Sequence, residues 1–309
     1  MKFRTALAIP AFDFTIEQSD KLLLMGSCFV EEMADFFRES GFRIDVNPFG
    51  TVYNPESLAC CIRELSTGKQ YALSDLFEYQ GLYHSFSHHS RFSDPNPDTC
   101  LRKINDRITA SSAFLREADV LVLTFGTAYI YTLASNGQTV VNCHKLQQNR
   151  FCRKCLSVEA ITESWSRLIA EIRALNPGIR LLFTVSPIRH LKDGAHENQL
   201  SKSILLLAID NLVNQHPQCY YFPSYELLLD ELRDYRFYAD DMLHPSRTAV
   251  AYIWERFSET CFTAHTRERI AEWKAIRQAL RHKPLHPESD AYLEFMKQTQ
   301  ERLNRFYRT

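Results

Sequence analysis

Short apolar runs separated by longer amphipathic stretches constrain this chain to an α/β architecture. Lys21 to Met25 (KLLLM), Asp119 to Phe125 (DVLVLTF) and Ile179 to Val185 (IRLLFTV) are nearly continuous apolar segments. Strands of that kind are buried on both faces, as in a parallel sheet covered by helices. Phe42 to Val46 (FRIDV) alternates and reads as a further strand, and Cys219 to Phe222 as a short fifth one. Between them lie helices. One runs from about Phe29 to Glu39 and ends at Gly41. A second follows the N-cap candidate Ser157, with Ile161, Trp165, Leu168, Ile172 and Leu175 at helical spacing, and stops at Asn176-Pro177-Gly178. A third spans Leu200 to Asn214, and a fourth, Arg247 to Phe262, turns Val250, Ile253, Trp254, Phe257 and Cys261 inward.

Residues 47–118 fit this rhythm least. They hold a His- and Ser-rich stretch, Tyr83 to Ser93, and a Pro-rich loop, Ser93 to Pro97, and read as an insertion after the second strand near the active face. Beyond Ala264 the sequence is charged and helical with no strand signal. The expected division is a hydrolase-like domain over 1–263 and a helical extension over 264–309.

With 309 residues, 45% hydrophobic and 24% charged, the chain can bury a full core without staples. A net charge of −1 gives no reason to expect a nucleic-acid partner, and no polybasic run points to a membrane surface. Pro10, Asp13, Glu17 and Asp20 interrupt the N-terminal segment, so neither a signal peptide nor a membrane span is expected. Nine cysteines, with Cys60 and Cys61 adjacent, make a poor disulfide framework; free thiols and a cytoplasmic setting are expected. No cofactor is expected, and oligomeric state is not legible.

Ligands of an open parallel sheet bind at the carboxyl ends of its strands. There the sequence places Gly26-Ser27, Asn47-Pro48-Phe49-Gly50, Gly126-Thr127-Ala128, Ser186-Pro187-Ile188-Arg189-His190 and Asp240-Asp241-Met242-Leu243-His244. A serine hydroxyl needs a base to take its proton and an acid to orient that base. Ser27, His244 and Asp241 supply the three parts, with Asp240 as the rival acid. Ser27 at a helix N-terminus and Gly50 offer N–H groups to a developing oxyanion. Met25-Gly26-Ser27-Cys28-Phe29 lacks the G-x-S-x-G elbow of α/β-hydrolases. An acid and base three residues apart near the C-terminal end point instead to the SGNH/GDSL type.

Gly26-Ser27-Cys28-Phe29-Val30 resembles the signature of the GSCFA family, relatives of the SGNH/GDSL hydrolases, with Val30 in place of the final Ala. Asn47 to Pro55, Asn142 to Lys145, Ser186 to His190 and Arg233 to Tyr238 resemble the same family, and the likeness runs from roughly Leu22 to Phe257. It implies a three-layer α/β/α, flavodoxin-like fold with a central parallel five-stranded sheet. It also implies Ser27 as nucleophile, Gly50 as an oxyanion donor, and Asp241 with His244 as a D-x-x-H pair. The implied activity is ester hydrolysis on an acylated small molecule or carbohydrate through an acyl-enzyme. O-acyl transfer by the same residues and a non-catalytic binding protein are the alternatives.

One position departs from the superfamily pattern. Where an oxyanion Asn follows the third strand there, this chain has Gly126-Thr127-Ala128. Thr127, Asn54 or Asn142 is expected to supply that donor, or backbone groups alone. Arg189, His190, His88 and His89 are candidate substrate-binding residues. For His88 and His89 an exposed loop is the preferred reading; for Arg189 and His190 the alternative is packing against Asp193. Arg233 to Arg236 reads as an ion-pair loop positioning Asp241. Cys152-x-x-Cys155, with Cys143 and His144 nearby, admits a zinc reading, against which free thiols are preferred. Cys28 is expected to be a packed thiol, and an alternative nucleophile only if it faces the pocket.

Overall fold

The computed structural model describes residues 5–307. The first four residues of the segment read as carrying no signal peptide, and the last two of the helical extension, lie outside the described residues. In chain order the elements are β1 (Lys21–Gly26), α1 (Cys28–Glu39), β2 (Arg43–Val46), α2 (Pro55–Thr67), β3 (Phe77–Tyr79), β4 (Leu82–His84) and α3 (Pro97–Glu117). Then come β5 (Val120–Phe125), β6 (Tyr129–Leu133), β7 (Thr139–Val140), β8 (Phe151–Cys155), α4 (Val158–Leu175), β9 (Arg180–Val185) and α5 (Ala195–Gln215). The chain ends with β10 (Cys219–Tyr221), the single turn α6 (Ser224–Glu226), α7 (Arg247–Cys261), α8 (Ala264–Leu280) and α9 (Asp290–Phe306).

Five strands form one parallel sheet in the order β10-β9-β5-β1-β2. Taken in sequence these are strands 5-4-3-1-2, the strand order of the expected flavodoxin-like fold. The central strand, β5, is buried at every residue, with Leu121 opposite Leu23 on one side and Leu181 on the other. Side chains alternate across the pleat. Leu23, Met25, Leu121, Phe125 and Phe183 therefore pack under α2 to α5, around Trp165, Leu58, Ile108 and Leu205. Leu22, Leu24, Val120 and Leu182 face the opposite layer, where Phe37 of α1 meets Trp254 and Phe257 of α7.

Local chemistry sets the helix starts. Asn54 accepts the Ser57 N–H at 2.7 Å ahead of Pro55, Asn96 caps α3 ahead of Pro97, and Ser157 caps α4 as anticipated. The insertion after β2 consists of α2, the β3–β4 hairpin and α3. A second insertion, the antiparallel sheet β7-β6-β8, follows β5 and was not anticipated. The tail is helical: Trp273 of α8 lies against Gly41 at the end of α1 and stacks on Phe306 of α9 at 5.4 Å. No helix among the described residues is long and apolar enough to cross a membrane.

Candidate active site

The carboxyl ends of β1, β5 and β9 and the loop before α7 converge on a cavity of about 580 Å³. Its lining includes Cys28, Tyr53, Thr127, Arg189, His190 and His244. The β1–α1 corner forms its floor. Gly26 has φ +145°, and a Cβ there would fall 2.3 Å from the Thr124 carbonyl oxygen, so only glycine lets β1 pass β5 at this point. The Gly26 N–H donates to Asn47 Oδ1 at 2.9 Å, and the Asn47 Nδ2 donates to Glu31. Asn47, read from the sequence only as part of a motif, thus locks the corner.

The Asp241–His244 pair is formed. The two residues bond through His244 Nδ1 and Asp241 Oδ2 at 2.6 Å, and Asp241 Oδ1 accepts the backbone N–H groups of Leu243 and His244 at 2.9 Å each. These bonds hold the Asp241 carboxyl down at about 2, the backbone donors contributing most. Both side chains are half exposed, 47% for Asp241 and 48% for His244. Their loop is braced by the Ala239 N–H to the His244 carbonyl at 2.8 Å and by the Tyr238–Pro245 bridge. Arg236 pairs with Asp234 at 2.9 Å within the same loop region.

Ser27 does not meet His244. Its hydroxyl is fully buried and makes no hydrogen bond, and its backbone N–H goes to the Thr124 carbonyl at 3.3 Å. His244 Nε2 instead faces Cys28 Sγ at 3.8 Å. The reason is helical phase. Ser27 is the N-cap and Cys28 the first residue of α1, and consecutive positions on a helix project about 100° apart. The expected oxyanion donors change as well. The Gly50 N–H is spent on the Asn47 carbonyl at 2.8 Å, and a Cβ at Gly50 would strike His89 Cβ at 2.2 Å, so Gly50 serves a tight loop. Backbone N–H groups of Cys28 and Phe29 support the Cys28 sulfur.

Thr127, Asn54 and Asn142 all line the cavity. Thr127 Oγ1 contacts Ser201 Oγ at 3.2 Å and accepts the Tyr129 N–H; Asn54 Oδ1 caps α2; Asn142 Oδ1 accepts the His144 N–H at 2.8 Å. Arg189 and His190 line the cavity too, and Asp193 pairs with Arg153 rather than with them. His190 Nε2 is buried without a partner and lies 3.4 Å from where a Gly126 Cβ would stand, as does Ser27 Cβ. Burial pushes the His190 imidazole down to about 4, leaving it neutral at pH 7.

His88 is neither a binding residue nor on an exposed loop. It is 1% exposed, stacks on Phe49 at 4.9 Å and bonds Ser85 Oγ at 3.0 Å. His89 does reach the cavity wall. Cys152 and Cys155 sit three apart on β8, opposite Thr132 and Tyr129, so the pleat sends their thiols to opposite faces and the zinc reading of the pair fails. Lys202 of α5 went unnoticed in the sequence. It is completely buried and donates to the carbonyls of Gly126 and Ser186 at 2.7 and 2.8 Å, tying the ends of β5 and β9 together. Burial lowers it to about 7.

Residues 21–257 match the GSCFA family. The chain belongs to the GSCFA family. Residues 273–309, which the sequence resemblance did not reach, match the family described as GSCFA domain protein, C-terminal domain. No curated protein sequence matches this GSCFA chain. Among solved structures it is similar to a family 3 carbohydrate esterase of Clostridium thermocellum, 12% identical with a TM-score of 0.33, over 78% of this chain and 96% of that one. It is also similar to an acetyl xylan esterase from the rumen bacterium Butyrivibrio proteoclasticus, 9% identical with a TM-score of 0.39, over 86% of this chain and 67% of that one.

Proposed function

We propose that this GSCFA protein hydrolyses an acyl ester of a small molecule or carbohydrate by two-step acyl transfer, with His244 as general base and Asp241 orienting it. The 2.6 Å bond between His244 and Asp241 at the cavity edge carries this reading. With Nδ1–H donated to an ionised Asp241, the His244 Nε2 lone pair is directed at the first turn of α1. There it takes the proton of an attacking group and returns it to the leaving alcohol; water then repeats the cycle and releases the acid.

The cavity supports such a substrate. Its volume suits a small ligand, and its lining combines Tyr53, Tyr129 and Tyr131 with the polar groups of Asn54, Asn142 and Arg189. The neutral His190, with its unpartnered Nε2 beside Gly126, is the candidate for the donor that the absent Asn leaves open. The test is hydrolysis of an aryl acetate and of acetylated sugars by wild type and His244→Ala. Turnover by the wild type that collapses in the variant is expected. Equal turnover by both would overturn the role of His244, no turnover by either would favour a binding protein, and a rise in turnover with one added sugar alcohol would redirect the reading to acyl transfer.

A further inference from the structure

We infer that the nucleophile of this site is the thiol of Cys28, and that Ser27 is a buried structural residue of the β1–α1 corner. This rests on the ester-hydrolysis reading above and names the atom that attacks.

A nucleophile must reach both the base and the substrate. Cys28 Sγ is 3.8 Å from His244 Nε2, a hydrogen-bond distance for sulfur, and Cys28 lines the cavity. Ser27 Oγ satisfies neither condition, being enclosed and unpartnered. Its backbone is pinned. The Gly26 and Asn47 contacts and the Ser27 N–H bond to Thr124 fix the strand end, and α1 begins at the next residue. Burial pushes the Cys28 thiol up, against the pull of the Cys28 and Phe29 N–H groups and of Lys202. The thiol is therefore neutral at rest and needs the base that stands beside it.

The chemistry balances. The Cys28 S–H proton passes to His244 Nε2 as the Sγ–C bond forms. The C–O bond of the ester breaks, and the leaving alcohol takes the proton from His244. Water then adds to the thioester carbon and gives its proton to His244. The Sγ–C bond breaks, the acid departs, and the proton returns to sulfur.

Two measurements test this. Aryl acetate is mixed with the full-length protein, quenched in acid, and the acetyl group located by intact mass and peptide mapping in wild type, Ser27→Ala, Cys28→Ala and Cys28→Ser. Folding of each variant is checked by thermal unfolding. Expected is a hydroxylamine-labile thioester on Cys28 that persists in Ser27→Ala and is absent from Cys28→Ala. Cys28→Ser should give a slower-formed, hydroxylamine-resistant oxyester at position 28. Acetyl on Ser27, or an adduct surviving in Cys28→Ala, overturns the assignment and leaves ester hydrolysis standing.

The second measurement needs no substrate. Iodoacetamide alkylation of Cys28 is followed against the exposed Cys152 and Cys155 in wild type and His244→Ala. Loss of the base should slow alkylation of Cys28 roughly tenfold and leave the other two unchanged. An unchanged Cys28 rate overturns the pairing. A wild type that turns over no ester yet shows the His244-dependent alkylation refutes the substrate class and retains the Cys28–His244 pair.

Discussion

The rim and the floor of this site are built on opposite principles. At the rim, Asp241 and His244 are half exposed on a loop and find each other over three residues of chain, with two local backbone N–H groups completing the carboxylate's bonds. At the floor, Gly26, Asn47, Gly126 and Lys202 come from three strand ends and a helix and are held by long-range contacts in a buried setting. An exposed pair adds little to stability, so the rim is free to serve chemistry. The floor serves geometry: it decides which residue of the first helical turn looks up at the rim. Substitutions at the two should separate accordingly, rim changes costing rate and floor changes costing stability.

The largest effect is expected at the rim. His244→Ala should lower aryl acetate turnover by about 10³-fold or more, with a melting temperature within a degree or so of wild type because the side chain is half in water. A large fall in melting temperature would break the contrast between the two regions. Next comes the tightest point of the floor. Gly26→Ala places a methyl 2.3 Å from the Thr124 carbonyl oxygen at a φ that alanine avoids. It should cost on the order of 4 kcal/mol in urea unfolding. A variant as stable as wild type would mean that the strand end yields, and that the choice between Ser27 and Cys28 is not fixed by the corner.

Lys202 sharpens the comparison through pH. Its ammonium holds two carbonyls and lies 5.5 Å from the Tyr225 ring centroid, with no ion-pair partner among the described residues. Lys202→Met should therefore cost about 3 kcal/mol at neutral pH, the loss of two buried bonds outweighing the relief of a desolvated charge. Burial lowers the folded-state value to about 7 from an ordinary 10.5. Between those values the unfolded chain binds more protons than the folded one, so this residue's contribution to stability rises with pH across that window. The full burden of the buried charge is present at and below pH 7. The gap between wild type and Lys202→Met should therefore widen from pH 7 to about pH 9. A gap that stays constant would show that Lys202 does not titrate in the folded protein.

The same division explains what the sequence disclosed. The central strands of the main sheet were legible because β5, and all but the first residue of β1 and of β9, are buried and so read as unbroken apolar runs. Asp241 and His244 were legible because their pairing is local. The β6 to β8 sheet was not, since β8 (FCRKC) has no buried position and carries no apolar signature. Lys202 read as one more polar helix residue. The available signal was its phase: Asn198, Ser201 and Lys202 extend the buried stripe of Leu205, Ala208, Ile209 and Leu212 by about two turns, which marks polar residues placed inside. The choice between Ser27 and Cys28 was not legible, because the motif supplies both and only the start of α1 decides which of them lines the cavity.

His190 lies where rim and floor meet, and the smallest of these effects is expected there. Its Nε2 is buried and unpartnered, close to Gly126, and the imidazole stays uncharged well below neutral pH. A neutral ring N–H aimed at a developing oxyanion stabilises the transition state more than bound substrate. His190→Ala should therefore reduce kcat about 100-fold while KM changes far less, and His190→Gln, which keeps a donor, should lose less. If His190→Ala raises KM and leaves kcat intact, the residue is a binding contact. The donor that stands in for the absent Asn must then be sought among Thr127, Asn54 and Asn142, whose side-chain oxygens are already engaged. That leaves the amide nitrogens of the two asparagines as the donors to test, each held in a fixed direction by the bond that its own Oδ1 accepts.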